Sequence, residues 1–195
     1  MAFSERERVL EDVARARELL NTSLFSTNAR DRDQRLILDE AYTPWTRSWT
    51  SLGEGFHEAA RVLLDRLSTN DSPFDFQVGP IIHTYRLAVE LSLKRLSASI
   101  GVETRGSGHN LSKLWADVSA ELGDRKAELN AMGERIAELE NLDERSTTFR
   151  YPDGPPPSRS SFTMGMTNLG EVLDALIDWI DGEHTRLIEE GSGGI

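Results

Sequence analysis

Not one of the 195 residues is a cysteine. Disulfides, thiolate nucleophiles and cysteine-ligated metals are therefore excluded, and the absence suits a reducing cytoplasm. Long apolar runs are missing too, since no window approaches the roughly 18 apolar residues of a membrane span. The opening MAFSERERVLED is charged from residue 5 onward and has no apolar signal core. These features read as a soluble, cytoplasmic protein that engages no membrane. Basic residues are outnumbered, 22 against 33 acidic ones, for a net charge of −11. That balance argues against broad, sequence-blind binding to DNA, which needs many Lys and Arg on phosphates. A local basic groove stays open if the fold gathers its cations.

The standard nucleotide and metal signatures are absent as well. The chain has no phosphate loop, no dinucleotide fingerprint and no HExxH motif. Its Gly-rich piece near a helix start, Arg105 to Asn110, lacks a preceding strand. No cofactor and no metal are implied. Asp174, Asp178, Asp181 and His184 share one helical face that resembles a metal face on paper, but a solvated outer face explains them equally well. No strand pattern and no internal repeat is visible.

What is present is helical periodicity. Ser4 and Glu7 form a capping box, and Val9, Leu10, Val13, Ala16 and Leu20 follow on one face. Residues 22–42 form a polar arm. Thr43-Pro44 signals a helix start, and Trp45, Trp49, Leu52, Phe56, Ala60, Leu63 and Leu67 predict one helix over 44–67, weakened at Gly53 and Gly55. A loop from Ser68 to Gly79 leads to a helix from Pro80 to about Ile100. The segment VETRGSGHN reads as a mobile connection. Asn110 caps a helix over 111–122, Gly123 breaks it, and further helices are expected over 125–141 and 168–190. The four tryptophans are spaced as core residues. Four of the seven prolines crowd into residues 152–157, so 143–166 is expected to be a long irregular loop folded against the bundle through Phe149 and Tyr151. The expected fold is all-α, an antiparallel up-and-down bundle of about five long helices. One domain spans 1–190, with 1–42 as N-terminal helix and arm, 43–190 as bundle core, and 191–195 as a flexible tail.

The Pro80 helix carries the most informative pattern. At about 100° per residue, Ile82, Tyr85, Val89, Leu93, Leu96 and Ile100 share one apolar face, and Leu87, Leu91 and Ala98 make a second strip. Between them His83, Arg86, Glu90, Lys94 and Ser97 line up. Such a helix sits centrally in a bundle, so its polar line must be paired or face a groove. Arg86–Glu90 and Glu90–Lys94 are each four apart and fit a structural ion ladder. The functional alternative puts His83 and Arg86 on a cleft, where Arg holds a phosphate and His moves a proton. His109 precedes an N-cap, where exposed amides favour an anion, or else it shapes the turn. Arg150 either enters the same cleft from the long loop or pairs with a bundle carboxylate.

The ordered segments PIIHTYRLAVELSLKRL, GHNLSKLW and LDERSTTFRYPDG resemble one group of bacterial HEPN-like proteins (higher eukaryote and prokaryote nucleotide-binding). The matching residues are Tyr85, Arg86, Glu90, Leu91, Leu93 and Lys94, then His109, Asn110, Leu111, Leu114 and Trp115, then Phe149, Arg150, Tyr151, Pro152 and Asp153. The resemblance covers about residues 80–185 and implies a helical bundle. Such proteins often dimerise and serve bacterial toxin–antitoxin or phage-defence systems. Many cut RNA without a metal, using Arg, four to six residues, then His. None of His57, His83, His109 or His184 has an Arg at that spacing. An active site would then be composite, built from Arg86, His109 and Arg150. His83, Glu90, Lys94, Asn110, Tyr151 and Asp153 would bind substrate or hold the network. Three readings stay open: an RNA-directed protein, if active a metal-independent endoribonuclease; a non-catalytic homodimer or partner-binding subunit of such a system; and a small-nucleotide-binding module.

Overall fold

In a computed structural model, residues 48–69, 74–104, 106–123, 125–150 and 165–192 are described, and all of them are helical or connect helices. The helices are α1 (Trp49–Thr69), α2 (Phe74–Ser99), α3 (Leu111–Ser119), α4 (Lys126–Leu142) and α5 (Met166–Ser192), with a 3-10 turn at Glu144–Ser146. The expected N-terminal helix, the polar arm and Pro44 lie outside the described residues. So does the 193–195 end of the tail.

Paired residues fix the helix directions. Lys94 lies over the Trp49 ring, and Gly53 faces Leu91 and Ser92, so α1 runs antiparallel to α2. His57 meets Asp174 and Leu64 lies beside Gly170, so α1 runs antiparallel to α5 as well. Tyr85 with Asp174, Arg95 with Asp181 and Ser99 with His184 put α2 and α5 in one direction. Arg125 with Glu183 and Glu128 with Trp179 turn α4 against α5. The four long helices thus form an antiparallel up-and-down bundle, and the nine-residue α3 is the short fifth member.

The apolar face of α2 is the centre of the core. Ile81, Ile82, Tyr85, Ala88, Val89, Leu93 and Leu96 are buried against Leu111, Leu114, Val118, Ile136, Leu173, Leu176, Ile177 and Ile180. Leu87 and Leu91 are half-buried, and Ala98 is exposed. Helix α2 begins six residues before Pro80, which therefore sits inside it. An interior proline removes one backbone hydrogen bond and costs about 3 kcal/mol. Packing offsets that cost: Val78 packs against the core, and the Phe149 ring lies against the backbone at Gly79, 3.4 Å from where a Cβ would stand.

Two further expectations are corrected. Trp49 is 45% exposed and Leu52 is 36% exposed, so the α1 stripe is core only from Phe56 onward. Their face is right, but they lie at the rim where α2 ends. The described residues on either side of position 105 are held rather than loose: Val102 N–H donates to Ser97 O, and the buried Ser107 donates its hydroxyl to Asp117.

Candidate functional site

The polar line of α2 ends inside the protein. Arg86 is 0% exposed, among the largest wholly buried side chains. Its guanidinium draws in four acceptors, from α2 itself, the turn before α3 and the end of α4. Nε donates to the Asp143 carbonyl at 2.7 Å, and Nη1 to Glu90 Oε2 at 3.3 Å. Nη2 donates to the His109 carbonyl at 2.6 Å and to Glu140 Oε2 at 2.8 Å. Burying a cation is tolerable only with such compensation. The planar fork suits it, because several donors diverge from one rigid group.

Glu90, one turn further along α2, is 2% exposed and gathers three cationic or imidazole groups. Besides Arg86, it accepts from Lys94 Nζ at 2.6 Å, and His109 Nδ1 lies 2.9 and 3.2 Å from its two oxygens. His109 itself stands out of the surface, with its side chain 59% exposed. A carboxylate on Nδ1 holds the ring orientation and leaves Nε2 on the outer side. Asn110 caps α3 by accepting from Lys113 N–H at 2.7 Å, and Glu140 accepts from Leu111 N–H at 2.8 Å. The start of α3, and with it His109, is therefore clamped to α2 and α4.

On the other side of Arg86 the network continues through Asp143, which is 0% exposed. Its Oδ1 accepts from Thr148 N–H at 2.8 Å, whereas Oδ2 has no hydrogen-bond partner. His83 Nδ1 lies 3.7 Å from that oxygen and 3.2 Å from Ser146 Oγ. Arg150, exposed, donates to the same Ser146 hydroxyl at 3.2 Å. Ser146 has φ = 60°, the left-handed region that non-glycine residues rarely occupy.

The structure thus brings His83, Arg86, Glu90, Lys94 and His109 into one network, Arg150 joins its far end, and Asn110 stays beside it as the cap of α3. Tyr151 and Asp153 lie outside the described residues. Three members were missed. Glu140 was legible, since it falls four residues after Ile136 and beside Leu139 on the buried stripe of α4. Asp143 and Ser146 follow the end of α4, where helical periodicity carries no information. Of the two readings of Arg86, the ion ladder with Glu90 and Lys94 is what the geometry shows, and a direct phosphate contact is not, because the guanidinium is cut off from solvent and committed to protein acceptors.

On the acidic face of α5, Asp178 is exposed, as a solvated outer face would have it, whereas the other three side chains are paired across the bundle. Asp174 accepts from Tyr85 at 3.0 Å and meets His57 at 2.7 Å, Asp181 pairs with Arg95, and His184 Nδ1 lies 2.6 Å from Ser99 Oγ. Burial, and then Asp174, push the Tyr85 phenol well above its ordinary range. Burial and the nearby Arg95 lower His184. Among the described residues no group of three or more His, Cys, Asp or Glu converges as a metal site.

A family model for the HEPN domain matches residues 46–179, more than half of the chain. The protein belongs to the HEPN family. The match runs from just before α1 into α5 and includes Arg86, Glu90, His109, Asp143 and Arg150. This HEPN protein is thus an all-α bundle of a family tied to nucleotides and RNA. Among its described residues no helix is long and apolar enough to cross a membrane. No curated protein and no solved structure matches the chain.

Proposed function

We propose that this HEPN protein acts on RNA in a bacterial toxin–antitoxin or phage-defence system, as a metal-independent endoribonuclease. The observation that carries the reading is the Glu90–His109 contact: a buried carboxylate holds one imidazole nitrogen, and the ring stands 59% exposed. That is the arrangement of a general acid or base, whose tautomer and direction are set by a carboxylate behind it. Lys94 and Arg86 share the Glu90 charge, so the carboxylate is compensated even without His109. Arg86 acts as a positioning residue, holding the His109 carbonyl from below. Arg150, on the surface, supplies the guanidinium for a phosphate. Tyr151 and Asp153 follow Arg150 closely in the sequence and are candidates for substrate contacts.

The test is incubation of the purified chain with RNA in EDTA. Wild type should cut the RNA, and His109→Ala should lose at least about a hundredfold in rate. Because His109 is exposed, its Tm should barely move. Equal cleavage by the variant would eliminate His109 from the chemistry.

A second reading is favoured by one specific fact, the full engagement of Arg86 with protein acceptors. In this alternative the network only pins the segments after α4, and the chain is a non-catalytic homodimer or partner subunit of the same system. It predicts no turnover of any RNA and a drop of several degrees in Tm for Arg150→Ala. Purified protein that cleaves RNA would reject it.

A further inference from the structure

We infer that His83 is a second proton-transfer residue, paired with His109 across the buried Arg86 to cleave an RNA phosphodiester by acid–base catalysis. The inference rests on the RNA-cleaving reading above and adds the missing partner to it. Each imidazole turns Nδ1 toward a buried carboxylate, His109 within hydrogen-bond distance of it and His83 beyond that distance. His109 turns Nδ1 to Glu90 at 2.9 Å, and His83 turns Nδ1 to Ser146 Oγ at 3.2 Å and to Asp143 Oδ2 at 3.7 Å. Both carboxylates are buried, and both touch the same guanidinium. The His109 side chain is 59% exposed and that of His83 22%. Residues 83 and 90 are seven apart, close to two full turns of α2, so they share one face about 10 Å apart along the axis. His109 is seated on Glu90, so helix geometry puts its anchoring carboxylate on the same face of α2 as His83, with Arg86 between the two positions in sequence.

The surroundings of His83 point beyond a packing role. Asp143 Oδ2 is a buried carboxylate oxygen without a hydrogen-bond partner, an arrangement that native interiors rarely leave standing. The nearest donor facing it from α2 is His83 Nδ1, and a small approach of the ring would complete that bond. Ser146, held at φ = 60°, keeps its hydroxyl between His83 and the Arg150 guanidinium. Backbone strain of this kind concentrates where a side chain must be aimed. The groups facing His83 are thus Asp143, Ser146 and, at the rim, Arg150. Those facing His109 are Glu90 and, through it, Lys94 and Arg86.

The reaction is balanced without any co-reactant. One imidazole takes the proton of the ribose 2′-hydroxyl as the 2′-oxygen–phosphorus bond forms. The other gives a proton to the 5′-oxygen as the phosphorus–5′-oxygen bond breaks. The products are a 2′,3′-cyclic phosphate and a 5′-hydroxyl, and nothing is oxidised or reduced. DNA, lacking the 2′-hydroxyl, is not cut.

The experiment follows cleavage of an unstructured RNA oligonucleotide in EDTA from roughly pH 5 to pH 9, the range that brackets imidazole titration. The full chain is compared with His83→Gln, His83→Ala and His109→Ala. The inference expects a bell-shaped profile for wild type. Each His83 variant should cut about a hundredfold or more slowly, with one limb of the bell lost. Free imidazole should restore His83→Ala, and His83→Gln should keep a Tm within a few degrees of wild type. If His83 variants keep the wild-type rate while His109→Ala is dead, the two-histidine inference is overturned and the RNA-cleaving reading stands. Slow His83 variants that keep both limbs, or that imidazole does not rescue, mark the residue as structural and overturn it too. A wild type that cuts no RNA overturns both.

Discussion

Arg86 and Asp143 are joined twice, once through backbone and once through charge: the guanidinium Nε donates to the Asp143 carbonyl at 2.7 Å and stands 4.0 Å from its carboxylate. Neither side chain touches solvent. The end of α4 is therefore fastened to the middle of α2 by a buried cation. Every segment of the candidate site leads back to that fastening.

Arg86→Ala should consequently be a stability mutation first. Removing one partner of a buried ionic network typically costs 3–5 kcal/mol, because the carboxylates left behind are uncompensated. For a chain of this size that corresponds to a fall in Tm of roughly 10 °C. A shift under about 2 °C in a thermal melt would show that Glu90, Glu140 and Asp143 do not depend on the guanidinium.

Glu183 predicts a specific acid sensitivity. Hydrogen bonds from Arg125 at 2.6 Å, with a further contribution from Arg186, outweigh its burial and lower its carboxyl from 4.5 to about 2. A group lowered in the folded state stabilises the fold above its unfolded value and loses that contribution as pH falls through the folded one. The Arg125–Glu183 link between α4 and α5 should therefore hold at neutral pH and weaken from about pH 4.5 down to about pH 2. Urea unfolding midpoints measured across this window should fall for wild type and be flatter for Glu183→Gln. Equal slopes would refute the assignment.

Gly133 predicts a packing limit. An added Cβ there would lie 2.7 Å from Trp115 Nε1, inside any real contact distance. Trp115 is nearly buried and stacks edge-on against Trp179 at 5.9 Å, so it has little room to withdraw. Gly133→Ala should cost about 1–3 kcal/mol by overpacking, despite the better helix propensity of alanine. Chemical denaturation measures it, and a stabilised variant would show that the indole moves freely.

Tyr85→Phe isolates the other polar cluster. Its hydroxyl donates to Asp174 at 3.0 Å, while His57 holds the same carboxylate oxygen from α1 at 2.7 Å. Removing the phenol oxygen should cost about 1–3 kcal/mol, because the acceptor is charged. An unchanged unfolding midpoint would mean that His57, together with Arg61 Nε at 3.8 Å from the other carboxylate oxygen, already satisfies Asp174.

The fold was largely legible because helices announce themselves by local spacing. The stripes Leu129–Met132–Ile136–Leu139 and Leu173–Leu176–Ile180 each report one buried face, and the observed α4 and α5 agree with them within two residues at either end. Pro80 misled, because a proline at the first helical turn and one inside a helix look alike until distant packing is known. Phe149 seated at Gly79 belongs to that packing. The candidate site was legible in half. His83, Arg86, Glu90 and Lys94 lie on one helix, where periodicity aligns them. Asp143 and Ser146 sit in a turn whose position over Arg86 is set by the meeting of α4 with α2.

The amino-acid order alone determined that this chain is helical, which faces of its helices are apolar, and that one helix carries a polar line between two apolar strips. Those properties follow from spacing within a few residues. Only the tertiary structure decided that Arg86 is buried while His109 is exposed. Burial of a charge depends on whether segments far apart in the chain bring enough acceptors to replace water. Here Glu140, the Asp143 carbonyl and the His109 carbonyl do so.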